Sequence, residues 1–286
     1  MKLWTLLVGF AALILSCAET SQKRVTVPLF VAGADVSEGI LSDFDVPIFI
    51  DRADLAFGPL YLCAGVNAGE LCETARLEWL DSVVVDLTST EAARAGELVG
   101  VTGTVQSWMY DLGISSQLTQ EDPFILDAAG QLDGSSLLLE GRATVDGIEI
   151  PFTASVPIQQ TGDTEQGVPV IRKSLSDDFS RDVRADESGL TVRFDPSSWV
   201  SGIDFRSYVS YETCSEGGPD LVCDGQVERS CEDGTEQSSR DCASQGEICL
   251  PKSGCQALLR IQPETQAYRS LRNSLMSGVR PSFNWE

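Results

Sequence analysis

The chain has 286 residues, with 43 Asp and Glu against 20 Lys and Arg, a formal charge of −23 and no histidine. The missing imidazole excludes a Ser-His-Asp triad, a Cys-His pair and every histidine-ligated metal centre. The charge sets a field that repels nucleic acid and anionic headgroups and attracts divalent cations and basic partner surfaces, while 42% hydrophobic residues supply ample material for a core.

Residues 1–16, MKLWTLLVGFAALILS, place one charge, Lys2, before an apolar run from Leu6 to Leu15 that ends at Ser16. That order predicts a signal peptide. The run is shorter than the roughly 20 apolar residues that span a bilayer, and no later stretch approaches that length. Ile14-Leu15-Ser16-Cys17 resembles the lipobox of bacterial lipoproteins. The resemblance implies lipid on the Cys17 thiol, cleavage before it, and a mature chain held at a membrane surface by several acyl chains, each buried CH₂ adding about 0.8 kcal/mol. Ala18, where many inner-membrane lipoproteins carry Asp, favours the outer membrane. Loss of Lys2 leaves the mature chain one charge more negative than the precursor. Eight cysteines remain after Cys17, and in an exported chain disulfides are the default.

Residues 17–24 read as a lipidated polar tether. From Val25 to Val31 apolar residues alternate, which predicts a strand, and Pro28 suggests an edge position. Residues 46–63 are rich in β-formers, shift phase near Asp51 and break at Gly58-Pro59, giving two strands or one bent strand. Between Ala68 and Leu80 the period changes: Leu71, Cys72, Ala75 and Trp79 share a helical face, and a three-turn helix is expected. Val83 to Leu87 and Leu98 to Tyr110 return to strand, the second alternating through Val99, Val101, Val105 and Met109.

The clearest unit is Ser135 to Ile158, two alternating runs joined by Asp146-Gly147, a type I′ hairpin signal. Pro151 and Pro157 fall on its outer face and suggest an unpaired edge. Residues 159–189 read as a long acidic surface loop before a strand at Leu190 to Asp195, after which Trp199 plugs a turn. The expected fold is mainly β: a β-sandwich-like domain over residues 25–212 with one or two short helices and a small disulfide-rich insertion.

That insertion, 213–255, holds Cys214, Cys223, Cys231, Cys242, Cys249 and Cys255 among Gly, Ser, Asp and Glu. It has too little apolar material to fold without cross-links. Stretches such as CDGQVERSCEDG resemble, in composition, cysteine-rich inserts of envelope and secreted proteins of Gram-negative bacteria. Six cysteines allow about 15 pairings, all left open. Cys63 and Cys72 remain as a fourth pair. Without a CxxC pair or a histidine, only a four-thiolate zinc site of unusual spacing competes with disulfides. Residues 256–286 then complete the main domain: a helix opening near Pro263 and Glu264, with Tyr268, Leu271 and Leu275 on one face and Gly278 as its cap, followed by a last buried strand in PSFNW.

No GxSxG elbow, P-loop or GxGxxG fingerprint is present, and neither Lys23, Lys173 nor Lys252 lies in a Ser-x-x-Lys arrangement. Among oxygen-ligated metals calcium stays open, through Asp177 and Asp178 with Asp182 foremost, then Asp43 and Asp45, and Asp224, although no EF-hand loop exists. Trp79, Trp108, Tyr110, Trp199 and Trp285 form a sugar platform only if exposed together; core positions are commoner.

The reading is therefore a lipid-anchored envelope protein, outer membrane favoured, with a binding or structural role. Its partners are the membrane and an envelope protein or glycan, not nucleic acid. The alternative is a histidine-independent, carboxylate-based enzyme acting on glycans. That enzyme requires a concave site with two facing carboxylates, one with a raised pKa.

Overall fold

Alternating side chains need an apolar partner surface, and here two sheets supply it to each other. The structure, a computed structural model, describes residues 22–65, 75–115, 124–158, 179–277 and 280–286. One sheet has seven strands in the order Ser282–Trp285, Leu190–Arg193, Arg24–Ala32, Ala93–Val101, Ala75–Trp79, Leu60–Cys63, Ser107–Tyr110. The other runs Ile40–Leu41, Pro47–Phe57, Ser135–Val145, Ile148–Pro157, Leu259–Ile261, with Val83–Asp86 also paired to Pro47–Phe57. Val25, Val27, Leu29 and Val31 of the first meet Ile48, Leu55, Leu139, Ile150 and Phe152 of the second in one buried cluster. The fold is mainly β, with sandwich-like sheets and three short helices among the described residues.

The hairpin forms as its sequence dictates. Asp146 and Gly147 have φ of 50° and 80°, the two left-handed residues of a type I′ turn, and Val145 faces Ile148 across it. Leu137, Leu139, Ala143, Ile150, Phe152, Ala154 and Val156 are all buried. The phase shift near Asp51 is a β-bulge: Glu140 pairs with Arg52 and Gly141 with Ile50, so Asp51 is the extra residue.

Four local expectations are corrected. The strand containing Pro28 is central, between Ala93–Val101 and Leu190–Arg193, but the latter begins pairing only at Leu29. Pro28 therefore has one neighbour, and its missing N–H breaks no ladder on the open side. Pro151 and Pro157 likewise flank the three residues, Phe152 to Ala154, that Leu259–Ile261 covers. Ala75–Trp79, expected as the end of a helix, is a strand paired with Leu60–Cys63 and Ala93–Val101; Leu77 and Trp79 point inward and Glu78 outward. The earlier part of that expected helix, residues 68–74, lies outside the described residues. Finally, Leu98 to Tyr110 is three strands, broken at Thr102 and Gln106; Val105 and Met109 are buried as expected, but in the first strand Leu98 is the inward residue and Val99 is 54% exposed.

Helices occupy Asp127–Gln131, Ser197–Val200 and Gln266–Ser277. Trp199 is buried within the second, 6.4 Å from the Phe194 ring. The third starts after Pro263, where Thr265 caps it by accepting the Tyr268 N–H at 3.1 Å, and it buries Tyr268, Leu271 and Leu275. Gly278 lies outside the described residues. Ser282–Trp285 is an edge strand, half-buried, antiparallel to Leu190–Arg193.

In the cysteine-rich segment Leu221–Asp224, Val227–Glu232 and Thr235–Asp241 form a small sheet, and Ile248–Leu250 pairs with Gly254–Gln256. Its bridges are Cys214–Cys231, Cys223–Cys249 and Cys242–Cys255. These replace the four-thiolate alternative. Cys223, Cys242, Cys249 and Cys255 cluster as the small interior, while Ile248 and Leu250 join the core of the main body. Among the described residues no helix is long and apolar enough to cross a membrane.

Candidate functional site

Carboxylates crowded together in an acidic chain must bind cations, take up protons or be met by basic side chains. In this fold arginines meet them. The loop of Asp43, Phe44 and Asp45 lies beside Arg206, whose guanidinium sits 4.6 Å above the Phe44 ring and donates to both Asp204 carboxylate oxygens, at 2.8 and 3.0 Å. Asp45 adds its field to the same guanidinium. Asp224 accepts from Arg229 at 2.7 Å, and Glu236 holds the other arm of Arg229. Among the described residues no group of three or more His, Cys, Asp or Glu is placed to hold a metal ion.

The hydrogen bond from Arg206 lowers the Asp204 pKa below its ordinary 3.8, against a smaller opposing effect of burial. A carboxylate with a lowered folded pKa adds stability that is fully present well above its unfolded value and is lost as the pH falls through the folded one. Asp204→Asn should therefore destabilise the protein at about pH 5 and approach wild type near pH 2. Urea midpoints at the two pH values test this; a difference that persists or grows on acidification contradicts it.

The acidic segment that sequence ranks first for calcium is only partly within the described residues: Asp177 and Asp178 lie outside them. Asp182 is exposed on the short strand Arg181–Val183, which pairs with Gly103–Val105. Around it is a hollow of about 570 Å³ lined by Ser180, Arg181, Asp182, Arg184, Asp186 and Glu187. Its best-buried carboxylate is Glu187, whose side chain is 5% exposed. That carboxylate accepts from Arg181 Nη2 at 2.8 Å and from the Arg184 backbone N–H at 3.2 Å. The Arg181 guanidinium also lies 4.9 Å from the Trp285 ring centre, and its Nε is buried without a hydrogen-bond partner. The hollow is thus built around a fixed guanidinium, with the exposed Arg184 on its rim. Arg181 and Arg184 interrupt the acidic run in the sequence, and that interruption is the signal that points to them.

A second, smaller depression of about 370 Å³ lies at Ile125, Leu126, Asp127, Gly130 and Gln131. The aromatic platform does not assemble: Trp79, Trp108, Tyr110 and Trp199 are buried, and Trp285 is half-buried under Arg181. Exposed large apolar side chains, Leu41, Phe49, Leu80, Val99, Ile125 and Tyr211, come from separate elements. Cys63 is disulfide-bonded; Cys72 and Cys17 lie outside the described residues.

No protein-family model matches the chain, and no match was found among curated proteins. Among solved structures, MbnP from Methylosinus trichosporium is similar with a TM-score of 0.32 and 11% identity, over 65% of this chain and 80% of that one. Likeness at that level is not evidence of shared chemistry.

Proposed function

We propose that the protein is a lipid-anchored component of the bacterial cell envelope, held by Cys17 in the outer membrane, with a binding or structural role towards an envelope protein or glycan. The observation that carries the reading is how the cysteines are used. Six are joined in three bridges within a module that has almost no other interior, and Cys63 is disulfide-bonded as well. Such a chain needs an oxidising compartment, and the segment ending in Cys17 resembles the export and lipidation signal that leads there. A binding role fits acidic clusters that already hold arginines and so act as fixed surface features. The competing carboxylate enzyme needs an acid with a raised pKa; Asp35 and Asp204, both lowered by hydrogen bonds, do not supply it.

Blocking the host's lipoprotein signal peptidase tests the anchor. A precursor that keeps residues 1–16 should accumulate in the membrane; processing that continues unchanged contradicts the reading. Co-purification from gently solubilised envelopes should then recover a stable partner, whereas glycan cleavage by the purified protein would favour the enzyme.

A further inference from the structure

Net charge predicts that this chain is repelled by an anionic bilayer, but its cations are not evenly spread. Lys23 and Thr102 are tied together: the Lys23 N–H donates to Thr102 Oγ1 at 3.1 Å, and the Thr102 N–H donates to the Lys23 carbonyl at 2.9 Å. Arg24 faces Val101 in the adjoining strand. The residue after Thr102, Gly103, pairs with Val183, which brings Arg184 and the hollow to the start of the first strand. A Cβ on Gly103 would stand 3.5 Å from Cζ of Arg76, so Arg76 belongs to the same end.

Lys23, Arg24, Arg76, Arg181 and Arg184 therefore gather where the chain leaves its tether. Asp182, Asp186 and Glu187 line the same hollow, and the Glu286 N–H donates to the Gly189 carbonyl beside it. Arg52, Arg94, Arg142, Arg206, Arg229 and Arg240, at other sites, are ion-paired, whereas Arg193 is held by the Gly33 and Thr90 carbonyls. At this end only Arg181 is ion-paired, among the described residues. Arg76 also has a buried Nε with no hydrogen-bond partner. Cys17 precedes Lys23 by so few residues that the connecting chain spans at most about 20 Å.

We infer that this end is the membrane-facing surface, its unpaired guanidinium groups meeting the phosphates of phospholipid headgroups in the bilayer that holds the lipid of Cys17. The inference rests on the anchor reading. An ionised guanidinium recognises phosphate through two parallel hydrogen bonds, and the acidic remainder of the molecule is then directed away from the surface.

Amide hydrogen exchange on protein purified from membranes tests it, comparing vesicles of phosphatidylethanolamine and phosphatidylglycerol with uncharged detergent micelles. Amides in 23–26, 99–105 and 180–188 should exchange several-fold more slowly on vesicles, while those of Thr235–Asp241 are unchanged. The protection should weaken near 0.5 M salt, where charges are screened within about 4 Å. Reversing two exposed cations, Arg24→Glu with Arg184→Glu, should remove it while the protein still floats with the vesicles. Flotation without added protection at these amides, or protection on the disulfide module instead, overturns this inference alone. Wild-type protein that fails to float overturns the anchor reading and this inference with it.

Discussion

Phe57→Ala should lower the unfolding free energy by about 3–5 kcal/mol, the cost of removing a fully enclosed aromatic side chain. Phe57 has no exposed surface and meets Trp79, Tyr110 and Phe194 with ring centres 5.8, 5.7 and 5.1 Å away. It is also the last residue of Pro47–Phe57, after which the chain passes from one sheet to the other and continues as Leu60–Cys63. Its ring therefore holds the two sheets together at a crossover. Loss of the ring leaves a cavity bounded by residues of both sheets, whose backbones are fixed by their ladders and cannot close over it. Equilibrium denaturation of the oxidised protein measures the effect. A loss under about 1 kcal/mol would mean that the interior relaxes around the gap, contrary to the packing described.

Removing the Cys223–Cys249 bridge, by Cys223→Ala with Cys249→Ala, should have the next largest effect. The bridge closes a loop with a sequence separation of 26 and joins Leu221–Asp224 to Ile248–Leu250. Chain entropy alone assigns it about 3–4 kcal/mol. The module's own interior is little more than its cysteines. The loss should therefore appear first as local unfolding of 213–255: limited proteolysis cuts there while the main sheets remain intact. Resistance of the variant module to protease would show that Ile248 and Leu250, docked in the main core, suffice to hold it.

What the sequence makes legible is what is local. Asp146-Gly147 and its flanking alternation specify a hairpin without help from the rest of the chain, and the mainly β fold with its disulfides follows from similar short-range patterns. Ala75 to Trp79 shows the limit. Residues four apart lie on one face of a helix, but Leu77 and Trp79 also satisfy a strand, and the partners that decide, Leu60–Cys63 and Ala93–Val101, are not adjacent to it in sequence. Simple alternation puts Val99 inward because the chain breaks that reset the phase, at Thr102 and Gln106, carry no strong turn signal. Pairing of the cysteines is illegible for a similar reason: Cys249 and Cys255 lie opposite each other in a ladder, yet each bonds elsewhere.

The site shows the same division. Counting carboxylates singles out Asp43, Asp45 and Asp224 for calcium but passes over the arginines, Arg206 and Arg229, that the fold places among them. The basic end lies beyond such counting, since Lys23, Arg76 and Arg184 are far apart in the chain and meet only through strand pairing.

Whether Cys17 anchors an oxidised, exported chain is tested most directly by the intact mass, under non-reducing conditions, of the protein taken from its host's membrane fraction. The predicted mass begins at Cys17, carries acyl chains, and does not change on treatment with a thiol-alkylating reagent. An unlipidated chain cleaved at another position, or one with free thiols, would contradict it.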